Sequence, residues 1–194
     1  GGVLKLVGEL LDSGDALGIQ VVVKRHGETL VDVCGGFKSP YSLEPVKPDT
    51  LFNCFSVSKG VAAAAVWRLV SQDKIDLDAP VVKYWPEFGE GGGARKQKVT
   101  VRHVLSHQSQ LQMVGLDEMS RDPYVVCEAQ NMLDILQKAS LEGRPGEGDA
   151  KYHFLTFGWL VDGIVRGATG QTLSSYVSSH IAKPLGLEDE LMIG

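Results

Sequence analysis

Residues 56–70 read Ser-Val-Ser-Lys-Gly-Val-Ala-Ala-Ala-Ala-Val-Trp-Arg-Leu-Val. From Gly60 until Arg68 the stretch is apolar at nearly every position, which predicts a helix that is buried rather than amphipathic. Residues three apart share one face of a helix, so the Lys59 amine can approach the Ser56 hydroxyl and accept its proton. The spacing therefore indicates a serine nucleophile at the end of a rigid helix. Taken alone, the four-residue pattern also fits an ordinary helix N-terminus with an exposed lysine.

Further blocks follow this stretch in a recognisable order. Residues 73–88 read Asp-Lys-Ile-Asp-Leu-Asp-Ala-Pro-Val-Val-Lys-Tyr-Trp-Pro-Glu-Phe, and residues 99–109 read Val-Thr-Val-Arg-His-Val-Leu-Ser-His-Gln-Ser. Residues 152–160 read Tyr-His-Phe-Leu-Thr-Phe-Gly-Trp-Leu, and residues 183–187 read Lys-Pro-Leu-Gly-Leu. Together with Ser-x-x-Lys, these blocks resemble the serine β-lactamase-like superfamily, in particular its class C β-lactamase-related and family VIII carboxylesterase-like members. The last two blocks are also similar to the lactamase-like domains that some plant and algal proteins carry fused to a kinase-like domain.

This resemblance implies a fold and a set of catalytic residues. The fold is α+β, an α/β sandwich of the β-lactamase/transpeptidase-like type with an antiparallel sheet and a helical region. Ser56 becomes the nucleophile, Lys59 its proton acceptor, and Tyr152 the second base, which also protonates the leaving group. We therefore expect a serine hydrolase that forms an acyl-enzyme on Ser56 and acts as a carboxylesterase, with no cofactor and no metal. The alternative is a catalytically silent scaffold or partner-binding module of a larger fused protein.

The sequence departs from the family pattern close to these motifs. Phe154 stands where the family commonly has the amide of Tyr-x-Asn, which favours ester or thioester substrates with an apolar acyl part over β-lactams, unless its ring faces the core. Gln108 and Gln110 stand where Thr and Gly are usual in the His-x-Ser-Gly segment. A glutamine adopts a glycine conformation only at an energetic cost. His107 is expected to be a structural hydrogen-bonding residue and not a base.

A third family motif, Lys-Thr-Gly or His/Trp-x-Gly on a downstream strand, does not occur in the 194 residues. Thr169-Gly170 is expected at a helix end, where glycine is a common cap. We therefore expect residues 1–194 to form the N-terminal portion of a β-lactamase-like domain that lacks its C-terminal strands. Residues 1–50 would supply a helix and a hairpin of the sheet, and residues 51–194 a mostly helical region. The piece alone is expected to be inactive.

The local patterns predict several elements. Apolar residues at helical spacing predict a helix over 4–11, and β-rich runs at 19–24 and 29–33 flank His26-Gly27 as a hairpin. Two further helices are predicted at 132–140 and 156–167. The Gly-rich tract at 89–93 is expected to be an exposed flexible loop, not a phosphate-binding loop, because no Gly-Lys-Ser/Thr follows it.

Composition narrows the class of partner. A net charge of -5 without a basic run argues against nucleic acid. No stretch is apolar enough for a membrane span. The family resemblance implies a small-molecule ester or amide as the substrate. The three cysteines are an odd and widely spaced set, which favours reduced thiols and a cytoplasmic or organelle interior.

Overall fold

The computed structural model of the chain describes residues 1–193. They fall into two compact units, Gly1–Asn53 and the described residues from Cys54 onward. This division lies close to the boundary that the sequence predicts after residue 50, and the assignment of both units to one domain stays a prediction. The first unit holds a small antiparallel sheet and the second is helical, so the expected α+β class is confirmed.

The first unit begins with α1 and continues into a three-stranded antiparallel sheet in the order β1-β2-β3. The bounds are α1 Gly2–Asp12, β1 Gly18–Arg25, β2 Glu28–Ser39 and β3 Ser42–Pro45. His26 and Gly27 join β1 to β2 with φ angles of 50° and 86°, and two left-handed residues are what a tight hairpin turn of matching twist requires. The predicted helix and hairpin are therefore present. Strand β3 was not predicted, because four residues ending in Pro45 carry no clear alternation.

Glycines bring α1 close to β2. A Cβ atom on Gly35 would lie 2.9 Å from Leu11 Cδ1, and one on Gly36 would lie 2.1 Å from the Leu17 carbonyl oxygen. Gly36 also has a φ of 81°, which a side chain rarely allows. Val7 is buried, whereas Leu4 on the expected apolar face stays exposed.

The second unit contains seven α-helices among its described residues, together with short 3₁₀ turns and a π-helical turn at Ser178–Ala182. They are α2 Ser58–Val70, α3 Gly93–Lys96, α4 Val101–Leu105, α5 Leu116–Arg121, α6 Ala129–Lys138, α7 Thr156–Thr169 and α8 Leu173–Val177. The helices predicted after residue 56 and near residues 132 and 156 are thus present. Gly170 ends α7 with a φ of 73°, as expected of a glycine cap.

The core of this unit forms where α2 packs against α7 and α8. Ala65, Val66 and Leu69 on one side of α2 are fully buried. The opposite face, which carries Gly60, Ala64 and Trp67, is exposed, and Trp67 retains 54% of its accessible surface. The expectation that α2 is buried all round is therefore wrong. Small apolar residues on both faces hide the direction of the core in the sequence pattern.

The Gly-rich tract is largely exposed, as predicted, since Glu90, Gly91 and Gly93 lie on the surface, but its ends are anchored. Gly89 is buried, and the Gly91 N–H donates to the Gln137 carbonyl oxygen over 3.1 Å. Lys96 follows the tract and is fully buried. Its ammonium donates to the carbonyl oxygens at the C-terminal end of α6, those of Leu136, Gln137 and Ala139, over 2.5, 2.7 and 2.8 Å. A cation is favourable at this end of a helix, and burial lowers the pKa of Lys96 to about 8.

Within residues 1–193, no helix combines the length and the apolar character that crossing a bilayer requires.

Candidate active site

Ser56 lies in a single 3₁₀ turn, Phe55–Val57, that leads directly into α2. Phe55, immediately before it, has a φ of 45°. A bulky residue in the left-handed region is uncommon and is associated with functional turns. The turn leaves Ser56 exposed at the N-terminal end of α2, where the helix dipole favours developing negative charge.

Lys59 lies in the first turn of α2, on the same side as the serine. Its Nζ donates to Ser56 Oγ over 3.0 Å and to the Phe154 carbonyl oxygen over 3.2 Å. The i, i+3 relation in the sequence is therefore a direct hydrogen bond in the structure. The second bond ties the lysine to the segment that follows Tyr152.

Tyr152 comes from a distant part of the chain and completes the cluster. Its Oη donates to Ser56 Oγ over 2.6 Å, and Lys59 Nζ lies 4.9 Å from the centre of its ring. The hydrogen bond with Ser56, followed by the hydrogen bond and positive charge of Lys59, lowers the pKa of the Tyr152 phenol. Since Ser56 is exposed and half of the Tyr152 surface is accessible (52%), a small molecule can reach the hydroxyl and the phenol. The structure thus brings together every site residue that the sequence predicted.

His107 holds the main chain on both sides of Tyr152. Its carbonyl oxygen accepts from the Lys151 N–H over 3.0 Å, and its Nδ1 accepts from the His153 N–H over 3.1 Å. The imidazole centre lies 5.0 Å from the Tyr152 ring centre. Burial, followed by the positive charge of Lys59, lowers the pKa of His107. The structural hydrogen-bonding role expected of His107 is therefore confirmed.

His153 anchors the segment around Tyr152 through its buried imidazole, and the sequence analysis missed this role. It is fully buried. Its Nδ1 contacts the Lys151 carbonyl oxygen at 2.6 Å, and its Nε2 contacts Ser109 Oγ at 2.7 Å and the Leu111 N–H at 3.4 Å. Because a carbonyl oxygen only accepts, Nδ1 carries the proton and Nε2 accepts. Burial lowers the pKa of His153 and favours this neutral form. A signal did exist, since His153 directly follows Tyr152 and Ser109 belongs to the His-x-Ser segment.

The structure shows where the two residues that depart from the family motifs, Gln110 and Phe154, lie. Gln110 is buried with a φ of 61°, so the residue at the usual glycine position does adopt a left-handed conformation. Phe154 retains 64% of its surface, so the alternative in which its ring faces the core is wrong. Its side chain has no polar group, but its carbonyl oxygen accepts the hydrogen bond from Lys59. The backbone therefore supplies a lysine contact at the position where the family carries an amide.

The chain is similar to known proteins in sequence and in fold. The family model described as Beta-lactamase matches residues 3–190. The esterase/β-lactamase LipL of Mycobacterium tuberculosis is 34% identical over 169 residues, which cover 85% of this chain and 36% of LipL. Esterase EstB of Burkholderia gladioli is 32% identical over 184 residues, which cover 89% of this chain and 46% of EstB.

A solved structure supports the same relationship. The crystal structure of a family VIII carboxylesterase superposes with a TM-score of 0.82 at 29% identity, over 99% of this chain and 51% of that chain. The fold is therefore of the β-lactamase/transpeptidase-like type, as expected. The chain spans less than half the length of the two relatives. Because the family model matches nearly the whole sequence, the chain belongs to the Beta-lactamase family.

Proposed function

We propose that the protein containing this chain is a serine hydrolase that forms an acyl-enzyme on Ser56 and that its substrates are small-molecule esters. One observation carries the proposal. Ser56 Oγ lies within one hydrogen bond of both Lys59 Nζ and Tyr152 Oη, at 3.0 and 2.6 Å. A neutral hydroxyl is a weak nucleophile, and an adjacent base is what activates it.

The reaction uses the three groups in sequence. Ser56 Oγ attacks the ester carbonyl carbon while its proton passes to the pair formed by Lys59 and Tyr152. The tetrahedral oxyanion forms at the N-terminal end of α2, where the dipole is favourable. Tyr152 Oη then protonates the leaving alcohol as its bond to carbon breaks. Water then attacks the acyl carbon on Ser56 and gives a proton to the same pair. The bond from that carbon to Ser56 Oγ breaks, the proton returns to Ser56 Oγ, and the acid leaves.

The surroundings of Ser56 favour esters with an apolar acyl part. Phe55 and Val57 flank the serine and are exposed, and Phe154 is exposed beside Lys59. Apolar side chains around a hydroxyl nucleophile suit an ester that needs few polar contacts. Phe154 offers no side-chain amide to a β-lactam carboxamide, so we place β-lactams behind esters. The names of LipL and EstB as esterases support this order.

Two other readings rank lower. Amide cleavage uses the same groups but has a poorer leaving group. A silent scaffold is not favoured, because such a module gains nothing from keeping a lysine and a tyrosine on one exposed serine. Fusion to another domain, such as the kinase-like domain of some plant and algal proteins, remains a prediction.

A fluorophosphonate probe tests the nucleophile in the full-length protein. We expect it to label Ser56 and expect Ser56→Ala to abolish labelling, as measured by intact-protein mass spectrometry. Lys59→Met should slow labelling by about 100-fold or more because the hydroxyl loses its base. Ser71→Ala, at the other end of α2, should label at the wild-type rate.

Ester turnover provides the second measurement. Hydrolysis of p-nitrophenyl butyrate should depend on Ser56 and should exceed the hydrolysis of nitrocefin. Labelling that is unaffected by Lys59→Met would contradict the mechanism. Faster turnover of nitrocefin than of the ester would contradict the substrate class alone.

A further inference from the structure

We propose that His107 is the positioning residue that holds Tyr152 against Ser56, and that it does so only while its imidazole is neutral. This inference rests on the proposed function and adds to it a residue that takes no part in the chemistry. It also adds a dependence of the site on the protonation of a third group.

His107 holds Tyr152 in place through both its backbone and its ring. The residue before it and the residue after it both donate their backbone N–H to His107, at 3.0 and 3.1 Å. The ring of His107 packs at 5.0 Å from the ring of Tyr152 on one side and at 5.0 Å from that of Phe157 on another. A single residue thus sets the backbone and the ring of Tyr152 together. Because the bond from Tyr152 Oη to Ser56 is 2.6 Å long, a displacement of about 1 Å would break it, and errors of that size cost catalysts about 100-fold.

The hydrogen bond to the His107 side chain depends on the protonation state of its imidazole. Nδ1 of His107 can accept the His153 N–H only through its lone pair, so the proton of the neutral ring sits on Nε2. A second proton on Nδ1 would place two donors face to face. The contact that fixes the residue after Tyr152 would then be lost. Protonation of His107 therefore weakens the hold on Tyr152, although the bond from the Lys151 N–H to the His107 carbonyl oxygen remains.

The groups packed around the His107 imidazole include one positive charge. α2 contributes the Lys59 ammonium, the segment at 151–154 contributes the Tyr152 phenol and the His153 imidazole at 5.5 Å, and α7 contributes only the apolar Phe157. Burial and the Lys59 charge both disfavour a second cation, and both lower the pKa of His107. The resting site therefore keeps His107 neutral near pH 7.

The backbone of His107 suggests a matched pair of variants. Its φ is 59°, a conformation that Asn tolerates better than most residues. His107→Asn keeps an acceptor, its side-chain carbonyl, at the position of Nδ1 and cannot take up a proton. His107→Leu has the same branching as Asn but no acceptor. His26→Asn in the β1–β2 turn makes the same change at a φ of 50° and serves as the control.

The experiment measures the rate of fluorophosphonate labelling of Ser56 in the full-length protein as a function of pH. The pKa of His107 is located first from the NMR shifts of its ring, and rates are then measured across it. We expect His107→Asn to label within about fivefold of wild type at pH 8 and His107→Leu about 100-fold more slowly. Below the His107 pKa, the ratio of the His107→Asn rate to the wild-type rate should rise about tenfold per pH unit, because only the wild type is protonated. The corresponding ratio for His26→Asn should stay flat.

Several outcomes would overturn the inference. A flat ratio for His107→Asn across the measured pKa, or a His107 that stays neutral until the protein unfolds, would remove the protonation step. A slow His107→Asn variant that melts at the wild-type temperature would show that an acceptor is not what positions Tyr152. If His107→Leu does not fold, the His107→Asn ratio still decides. Loss of the proposed function itself would be seen separately, as wild-type protein that is not labelled at pH 8.

Discussion

Replacing Tyr152 with phenylalanine removes one oxygen atom and leaves the rest of the cluster in place. The ring keeps its packing at 5.0 Å from His107 and its contact with the Lys59 ammonium at 4.9 Å. Lys59 keeps its hydrogen bonds to Ser56 Oγ and to the Phe154 carbonyl oxygen. The variant therefore isolates the single bond of 2.6 Å from Tyr152 Oη to Ser56 Oγ.

The expected loss in rate is large and the expected loss in stability is small. A positioned general acid–base group contributes about 100- to 10,000-fold, which corresponds to about 3 to 5 kcal/mol of transition-state stabilisation. The free energy of unfolding should change by less than about 0.5 kcal/mol, because half of the Tyr152 surface is already accessible to water. If the bond mainly stabilised the fold, its removal would instead cost much stability and little rate.

Hydrolysis of p-nitrophenyl butyrate and urea denaturation measure the two quantities on the same samples. Tyr41→Phe is the matched control, because Tyr41 is almost fully exposed in the β2–β3 turn. The pH profile adds a third readout. Since Ser56 and Lys59 lower the pKa of Tyr152, its deprotonated form persists to lower pH than that of a free phenol. The wild-type rate should therefore begin to rise with pH below the ordinary tyrosine pKa of about 10, and this rise should be absent in Tyr152→Phe.

A Tyr152→Phe variant that turns over the ester within about threefold of wild type would refute the role of the phenol as acid and base. A rate loss accompanied by an equal loss of stability would show that the bond supports the structure of the site instead.

Two further predictions concern the helical unit. Lys96→Met should remove one contribution to the pH dependence of the free energy of unfolding. Burial lowers the pKa of Lys96 in the folded protein to about 8, so between that pH and the unfolded pKa near 10.4 the unfolded chain holds more protons. Over this range the free energy of unfolding of the wild type should rise by up to about 3 kcal/mol relative to the variant. Urea denaturation at pH 7.5 and 10 measures this difference, exposed Lys98→Met is the control, and parallel curves for wild type and Lys96→Met would contradict the burial argument. Gly167→Ala should destabilise the protein by several kcal/mol although alanine favours helices, because its Cβ would lie 1.7 Å from the Tyr84 carbonyl oxygen. Gly158→Ala in the same helix meets nothing within 4 Å and should stabilise it by up to about 1 kcal/mol, so a higher melting temperature for Gly167→Ala would show that the close approach is not needed.

The amino-acid sequence alone determined the features that depend on near neighbours. Ser56 and Lys59 meet because three residues of helix bring them to one face, and the φ angles above zero at His26-Gly27 close the hairpin. The order of the motif blocks identified the family and pointed to Tyr152. At position 110 the sequence showed that a glutamine would pay an energetic cost in a glycine conformation, but not that Gln110 would adopt it with a φ of 61°.

Only the tertiary structure decided the contacts between distant residues. Tyr152 reaches Ser56 across 96 residues of sequence. The bonds from the His153 N–H to His107 and between His153 and Ser109 likewise join segments that are far apart in the sequence. The exposed face of α2 was not predictable, because alanine and glycine give both faces of a helix the same apolar character. The exposure of Phe154 and the burial of Lys96 follow from which segments pack over them. Local spacing determines which groups one helix or turn can bring together, whereas the packing of separate segments determines which of them meet at Ser56.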